Sequence, residues 1–250
     1  LNPSHFETRS LASIRSIFRA TASRPCIAFV NNSEAGACDY ERWLQLDAIA
    51  FQVVQYGIDV SFLTRPTDVS KRRAVVGGIM RLEPEKDPVL WLEVAKRVAA
   101  IEPDIEFHLY GDGVLEGKVE RIVRRQRLAN VSLHGRAPSA ATALRGMSLL
   151  LGTSRIEGCP NVILEAQAAN VPVVAPAVGG TSECVPPHHH HRLTASRHPD
   201  ALAQSVLRTL RETEAGHDAS ARDYVLAHFD RDRQATAYER LYGANPPQDS

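Results

Sequence analysis

Ser148-Leu149-Leu150-Leu151-Gly152-Thr153-Ser154-Arg155-Ile156-Glu157-Gly158-Cys159-Pro160-Asn161-Val162-Ile163-Leu164-Glu165-Ala166 reads as one strand–loop–helix unit of an α/β fold. Ser148 to Gly152 is a short apolar run of the kind a buried strand needs. Pro160 suits the first helical position, where its missing N–H costs nothing. The N–H groups of Asn161, Val162 and Ile163 then point out of the helix start and form a small anion site, with Gly158 and Cys159 leading into it. Glu157 and Glu165 flank that site, one in the loop and one inside the helix. Carboxylates accept paired hydrogen bonds from sugar or ribose diols, so a pyrophosphate between hydroxyl-bearing rings matches the arrangement. The stretch predicts a nucleotide-sugar site.

The same alternation extends to both sides. Ala74 to Ile79 reads as a strand, and Val89 to Ala100 as a helix with apolar spacing at Leu92, Val94, Ala95, Val98 and Ala99. Ile105 to Tyr110 is the next strand, closed by Gly111-Asp112-Gly113. Leu115 to Leu128 follows as an arginine-rich helix, Val131 to His134 as a strand, and Ala140 to Arg145 as a short helix. Ser148 to Gly152 and Val171 to Ala175 bring the strands to five. Such a succession implies a doubly wound parallel sheet with helices on both faces. Ligands in these sheets bind at the carboxyl ends of the strands, where Gly111 to Gly113, Gly135-Arg136, Thr153 to Pro160 and Gly179-Gly180 all fall.

Before residue 63 the pattern supplies only helix His5 to Ala20, strand Cys26 to Val30, helix Glu34 to Leu44 and strand Phe51 to Gln55. That is too little for an independent doubly wound domain and reads as the tail end of a second Rossmann-like one. The expected organisation is a remnant of that N-terminal domain over 1–62, a linker over 63–73 and a nucleotide-sugar-binding domain over 74–228. A C-terminal helix over 229–244 is expected to pack back on the N-terminal part, and Asn245 to Ser250 to fray. Residue 1 is Leu, so an upstream portion is expected.

Composition removes several classes. The 250 residues carry 29 basic and 29 acidic side chains, a balance that gives no support to the clustered basic footprint of a nucleic-acid binder. No apolar run approaches the ~18 residues of a membrane span, and no signal peptide opens the chain. Cys26, Cys38, Cys159 and Cys184 lack zinc-like spacing and read as reduced thiols of a cytoplasmic protein.

Among candidate residues, Arg81 and Lys86 occupy one loop directly after the first strand of the main domain, where two cations can clamp a diphosphate. Taken alone they read as surface charges; the helix start at Pro160 gives them an anion to share. Glu165 lies in an otherwise apolar helix, and a charge there needs a partner or a polar cleft. Gly179-Gly180 suits either close approach to a ligand or a plain tight turn. The run His188 to His191 reads as a loop, because adjacent histidines cannot all reach one ion. His108 and His134 read as packed histidines of the sheet.

With these residues in place, the chain resembles the retaining GT-B glycosyltransferases of glycosyltransferase family 4 (glycosyl transferases group 1). Val76 to Lys86 resembles the family's strand and diphosphate-binding Arg/Lys pair, and Glu157 to Glu165 its E-x7-E signature. Val171 to Ala175 with Gly179, Gly180 and Glu183 resembles the strand and loop that follow, and Val54 to Asp59 the hinge segment. The resemblance implies that Arg81 and Lys86 bind the donor diphosphate and offset leaving-group charge. It implies that Glu157 binds sugar hydroxyls and that the backbone of Gly158, Cys159, Pro160, Asn161 and Val162 lies against sugar and phosphate. Glu165 would hold the ribose, and Gly135 and Arg136 would lie near the base. No metal cofactor is implied; the donor would be a UDP- or GDP-sugar and the acceptor a saccharide or a lipid-linked one. Localisation would be cytoplasmic, with peripheral association at the inner face of the cell membrane through the N-terminal domain. Three departures stand out: Asn170 where the family prefers Gly, Tyr56 in place of the hinge Asn, and the His188 to His191 run. The alternative from another class is a non-catalytic nucleotide-sugar binding module or partner subunit.

Overall fold

The computed structural model describes residues 9–22, 24, 27–45, 51–61, 63, 73–214 and 219–244. The start of the first expected helix, Cys26, nearly all of the 63–73 linker and residues 245–250 lie outside these described residues. The main sheet is parallel throughout and contains β3 (Val75–Ile79), β4 (Glu106–Tyr110), β5 (Val131–Leu133), β6 (Leu149–Leu151), β7 (Val173–Pro176) and β8 (Leu193–Thr194). Their spatial order is β5-β4-β3-β6-β7-β8. The chain therefore winds outward in one direction from β3 through β4 and β5. It then returns to β6 and winds the other way, which sets a switch point between β3 and β6.

Helices α3 (Pro88–Ala99), α4 (Glu116–Gln126) and α7 (Pro199–Glu214) cover one face. There Val76, Trp91, Phe107, Leu149, Leu151 and Val206 form one core, with Trp91 and Phe107 in edge-to-face contact at 5.4 Å. Helices α5 (Ala140–Leu144), α6 (Asn161–Ala168) and α8 (Ser220–His228) belong to the other, where Met147, Leu150, Ile163, Leu164 and Phe229 form the second core. Strand β6 shows why both faces are needed. Leu149 and Leu151 point into one core and Leu150 into the other, so every residue of the strand is buried.

Details of the main part differ from the sequence reading. Strand β8 is a sixth strand, pairing Leu193 with Ala175 and Thr194 with Pro176. Two residues behind a histidine run are too few to show a period, so only tertiary pairing reveals it. The histidine run itself is a 3-10 turn, Pro187–Arg192, rather than an open loop. Asn170 takes φ 55°, the left-handed cap that Asn tolerates in place of Gly.

The N-terminal part contains α1 (Arg9–Ala22), β1 (Val30–Asn31), α2 (Glu34–Leu44) and β2 (Gln52–Val53), with β1 and β2 paired in parallel. Strand pairing over 51–55 is thus limited to Gln52 and Val53. Ser33 caps α2 by accepting from the Gly36 N–H at 3.1 Å. Helix α9 (Arg231–Ala244) reaches this part. The Ile58 N–H donates to the Phe229 carbonyl at 2.8 Å, the Gly57 N–H to Gln234 Oε1 at 3.1 Å, and Arg231 pairs with Asp59 at 3.0 Å. No helix among the described residues is long and apolar enough to cross a membrane.

A second long-range tie holds α2. Both carboxylate oxygens of Glu183 accept from its first turn, from the Glu34 N–H and the Ala35 N–H, each at 2.8 Å. The carboxylate completes the cap that Ser33 begins and lies against the positive end of the helix. Replacing Glu183 with Ala is expected to lower stability by about 1–2 kcal/mol, the range of a lost cap. Urea unfolding of wild type and variant checks this.

Candidate functional site

The parallel sheet gathers the loops after β3, β6 and β7 on one edge. The β3 loop begins against its neighbour, with the Met80 N–H bonded to the Tyr110 carbonyl and the Leu82 N–H to that of Asp112. It ends on Lys86, whose Nζ lies 2.6 Å from Glu157 Oε1. Both side chains are largely buried, 22% and 13% exposed, so the attraction is screened far less than at the surface. Arg81 points elsewhere: it is 67% exposed and pairs with Glu85 at 3.1 Å. Lys86 and Glu157 are thus brought together, while Arg81 stands at the rim.

Helix α6 begins beside this pair. Pro160 is its cap rather than its first helical residue, with φ −75° and ψ 105°. Its extended backbone turns the carbonyl down the helix, where it accepts from the Ile163 N–H at 3.0 Å. Ile163 is therefore not among the free donors expected from the sequence. The amides of Asn161 and Val162 make no hydrogen bond among the described residues, and Val162 lines one cleft with Lys86, Glu157 and Pro160. Gly158 lies against Asn32 of the N-terminal part, since a Cβ there would come 2.6 Å from Asn32 Oδ1.

The β7 loop, a 3-10 turn over Gly179–Cys184, supports Glu157 from behind. Gly179 has φ 52°, and a Cβ on it would collide with the Glu157 carbonyl oxygen. A Cβ on Gly180 would strike the Gly158 carbonyl oxygen. Only glycine permits this approach. Cys159 and Cys184 meet behind the same contact with their sulfurs 3.3 Å apart, both buried free thiols. Hydrogen bonding to Cys159 and burial keep the Cys184 thiol protonated, and the same bond, with a Tyr56 backbone donor, lowers the pKa of Cys159.

Glu165 sits on α6 without a hydrogen bond or ion pair to its carboxylate among the described residues, and burial raises its pKa above the ordinary value. Gly135 and Arg136 follow β5, two strands from β3, or roughly 10 Å across the sheet. Arg136 is exposed, and neither residue touches the Lys86–Glu157 pair. Next to them His134 stacks on Tyr110 at 4.5 Å, and burial lowers its pKa.

The histidine run is accounted for by separate partners. His188 meets Ser220 at 2.7 Å, His190 meets the Ser182 and Val185 carbonyls at 3.0 Å, and His191 meets Glu212 at 3.1 Å. No group of three or more His, Cys, Asp or Glu side chains able to hold a metal occurs among the described residues. A cavity of about 480 Å³ opens between the two parts of the chain, lined by Asn32, Tyr40, Tyr56 and Tyr238 and reaching Glu157 and Gly158. The sequence reading missed Glu183 as a helix cap and Asp87 as an ion-pair partner. The one local signal was Asp87 directly before Pro88, the order of a cap followed by the first helical residue.

Fold and geometry together define a Rossmann-like domain of the GT-B type. The family model for glycosyl transferases group 1 matches residues 73–212, and the chain belongs to that family. It is 29% identical over 182 residues to the Vi polysaccharide biosynthesis protein VipC/TviE of Salmonella typhi, covering 67% of this chain and 31% of that protein. It is 26% identical over 159 residues to the poly(ribitol-phosphate) alpha-N-acetylglucosaminyltransferase of Staphylococcus aureus, covering 62% and 32%. The chain therefore spans about a third of the length of these relatives. Among solved structures, HepE from Anabaena in complex with UDP superposes with TM-score 0.81 at 24% identity, over 97% of this chain and 70% of that one. TarM from S. aureus, crystallised with UDP among other ligands, gives 0.81 at 22% identity, over 92% and 46%.

The raised pKa of Glu165 fixes a sign. A carboxyl group whose pKa is raised by burial in the fold costs stability once the pH passes its ordinary value of 4.5, because the unfolded chain then ionises more readily. Glu165→Gln is expected to raise the melting temperature at neutral pH, and the gain is expected to vanish as the pH falls below 4.5. Melting curves across that range check it.

Proposed function

We propose that this chain forms the donor-binding half of a retaining glycosyltransferase, which moves a sugar from a nucleoside diphosphate to a saccharide or lipid-linked acceptor in cell-envelope or exopolysaccharide synthesis. The observation that carries this reading is the Lys86–Glu157 pair at the switch point, set beside the two free amides of α6. A diphosphate at that helix start takes Lys86 as its counter-ion and the Asn161 and Val162 N–H groups as donors. Arg81, on its exposed rim position, closes over the outer phosphate.

Glu157, released from Lys86, then accepts from the hydroxyls of the transferred sugar, and Glu165 from those of the ribose. The half-buried setting of Glu165 suits this role, since a carboxylate without a protein partner gains most from a diol that hydrogen-bonds it. The base extends towards Gly135 and Arg136, across the sheet. As the bond from the anomeric carbon to the phosphate oxygen breaks, its electron pair goes to the diphosphate. Lys86, Arg81 and the helix start stabilise the charge that develops there. The acceptor hydroxyl adds on the same face and passes its proton to the departing phosphate oxygen, and the cavity beside Glu157 and Gly158 is where that hydroxyl enters. These cations and the helix start supply the charge stabilisation that a metal ion supplies elsewhere.

Calorimetric titration with UDP and GDP tests the reading. At least one is expected to bind, and Lys86→Ala or Glu165→Ala to weaken it about tenfold or more, the scale of one lost hydrogen bond to a charged group. Absence of binding by both nucleotides at millimolar concentration, with the chain folded, would overturn it.

A further inference from the structure

Lys86 is followed by a residue in an unusual state. Asp87 has φ 50° and ψ 61°, a left-handed conformation that is costly for a residue with a side chain, and it is 8% exposed. Both of its carboxylate oxygens are used. Oδ1 caps α3 by accepting from the Leu90 N–H at 3.2 Å. Oδ2 takes two guanidinium groups, Arg155 Nη2 and Arg197 Nη2, each at 2.6 Å.

Those arginines belong to other loops. Arg197 lies between β8 and α7, is 25% exposed, and also donates to the carbonyls of Thr153 at 3.1 Å and Ser154 at 3.2 Å. Thr153, fully buried, returns the connection, its hydroxyl pointing at the Lys86 carbonyl at 2.9 Å and that of Asp87 at 3.1 Å. The Arg155 N–H donates to the Glu85 carbonyl at 2.7 Å. The loop that carries Lys86 and the loop that carries Glu157 are thus joined backbone to backbone by a network centred on one carboxylate.

We infer that Asp87 and Arg197 are positioning residues, which hold Lys86 at hydrogen-bond distance from Glu157 and so preorganise the donor diphosphate site. The inference rests on the donor-site reading above for its consequence, though not for its geometry. Structure alone would ask only for a helix cap, and Ser, Thr or Asn cap as well as Asp. What Asp adds is the charge that gathers two guanidinium groups, and with them the β6 and β8 ends of the sheet. The left-handed backbone places that carboxylate under the loops rather than out in solvent. Most of the effect falls on Arg197, since Arg155 is 56% exposed and its pair with Asp87 is correspondingly screened.

Asp87→Asn separates the two roles, because Asn caps a helix and tolerates the left-handed region as well as Asp does. Arg197→Lys removes the fork from the other side. The reactivity of the Lys86 amine towards an acetylating ester, read by mass spectrometry, reports the Lys86–Glu157 pair directly. Lys96 on α3 and exposed Lys118 on α4 are internal references. Both variants are expected to acetylate Lys86 several-fold faster with Lys96 and Lys118 unchanged, to melt close to wild type, and to bind UDP about tenfold more weakly. The double variant is expected to lose no more than either single one. Unchanged Lys86 reactivity, or an equal rise at all three lysines, would overturn the inference. Failure of the wild-type chain to bind either UDP or GDP would instead overturn the donor-site reading, and Lys86 acetylation would still decide this one.

Discussion

Two opposite charges, from loops 71 residues apart, meet at 2.6 Å in a largely buried position. Much of the molecule serves that meeting. Burying Lys86 and Glu157 strips both of water, and a pair of this kind contributes little net stability against an apolar substitute. What the pair does is leave each partner strongly in need of the other, or of something better. A diphosphate offers Lys86 more negative charge than Glu157 does, and sugar hydroxyls offer Glu157 the donors it loses. The exchange is available only because the switch point of the sheet sets the β3 and β6 loops side by side.

Around the pair, three contacts do the holding, each over long sequence distance. Gly179 and Gly180 allow the β7 loop to lie on the backbone of Glu157 and Gly158. Glu183, at the far end of that same loop, caps α2 and so couples the N-terminal part to the main sheet. Asp87 and Arg197 join the β3 and β6 loops from below. Between the two parts of the chain the cavity at Asn32 and Tyr56 opens towards Glu157, so the two parts share one wall.

Much of this was legible in the sequence, and the remainder was hidden for physical reasons. The alternation of apolar strands and amphipathic helices carries the sheet, because burial on both faces writes itself into every residue of Leu149 to Leu151. The pair of glutamates and the Arg81–Lys86 loop were visible as residue types at meaningful spacings. The free rotation of side chains was not: Arg81 turns to Glu85, and Lys86 alone reaches Glu157. Pro160 suits the cap and the first helical position almost equally, so its exact place needed the backbone angle. Strand β8, the cap by Glu183 and the ion pairs of Asp87 all depend on partners outside their own segment, 149 residues away for the cap; the one local trace is Asp87 before Pro88, which marks a helix cap and says nothing of the arginines.

A crystal structure of the chain with UDP tests the central claim most directly. The account predicts the diphosphate at the Asn161 and Val162 amides, with Lys86 turned from Glu157 onto a phosphate oxygen and Glu165 on the ribose. A nucleotide bound anywhere else, or one bound there with the Lys86–Glu157 contact intact, would contradict it.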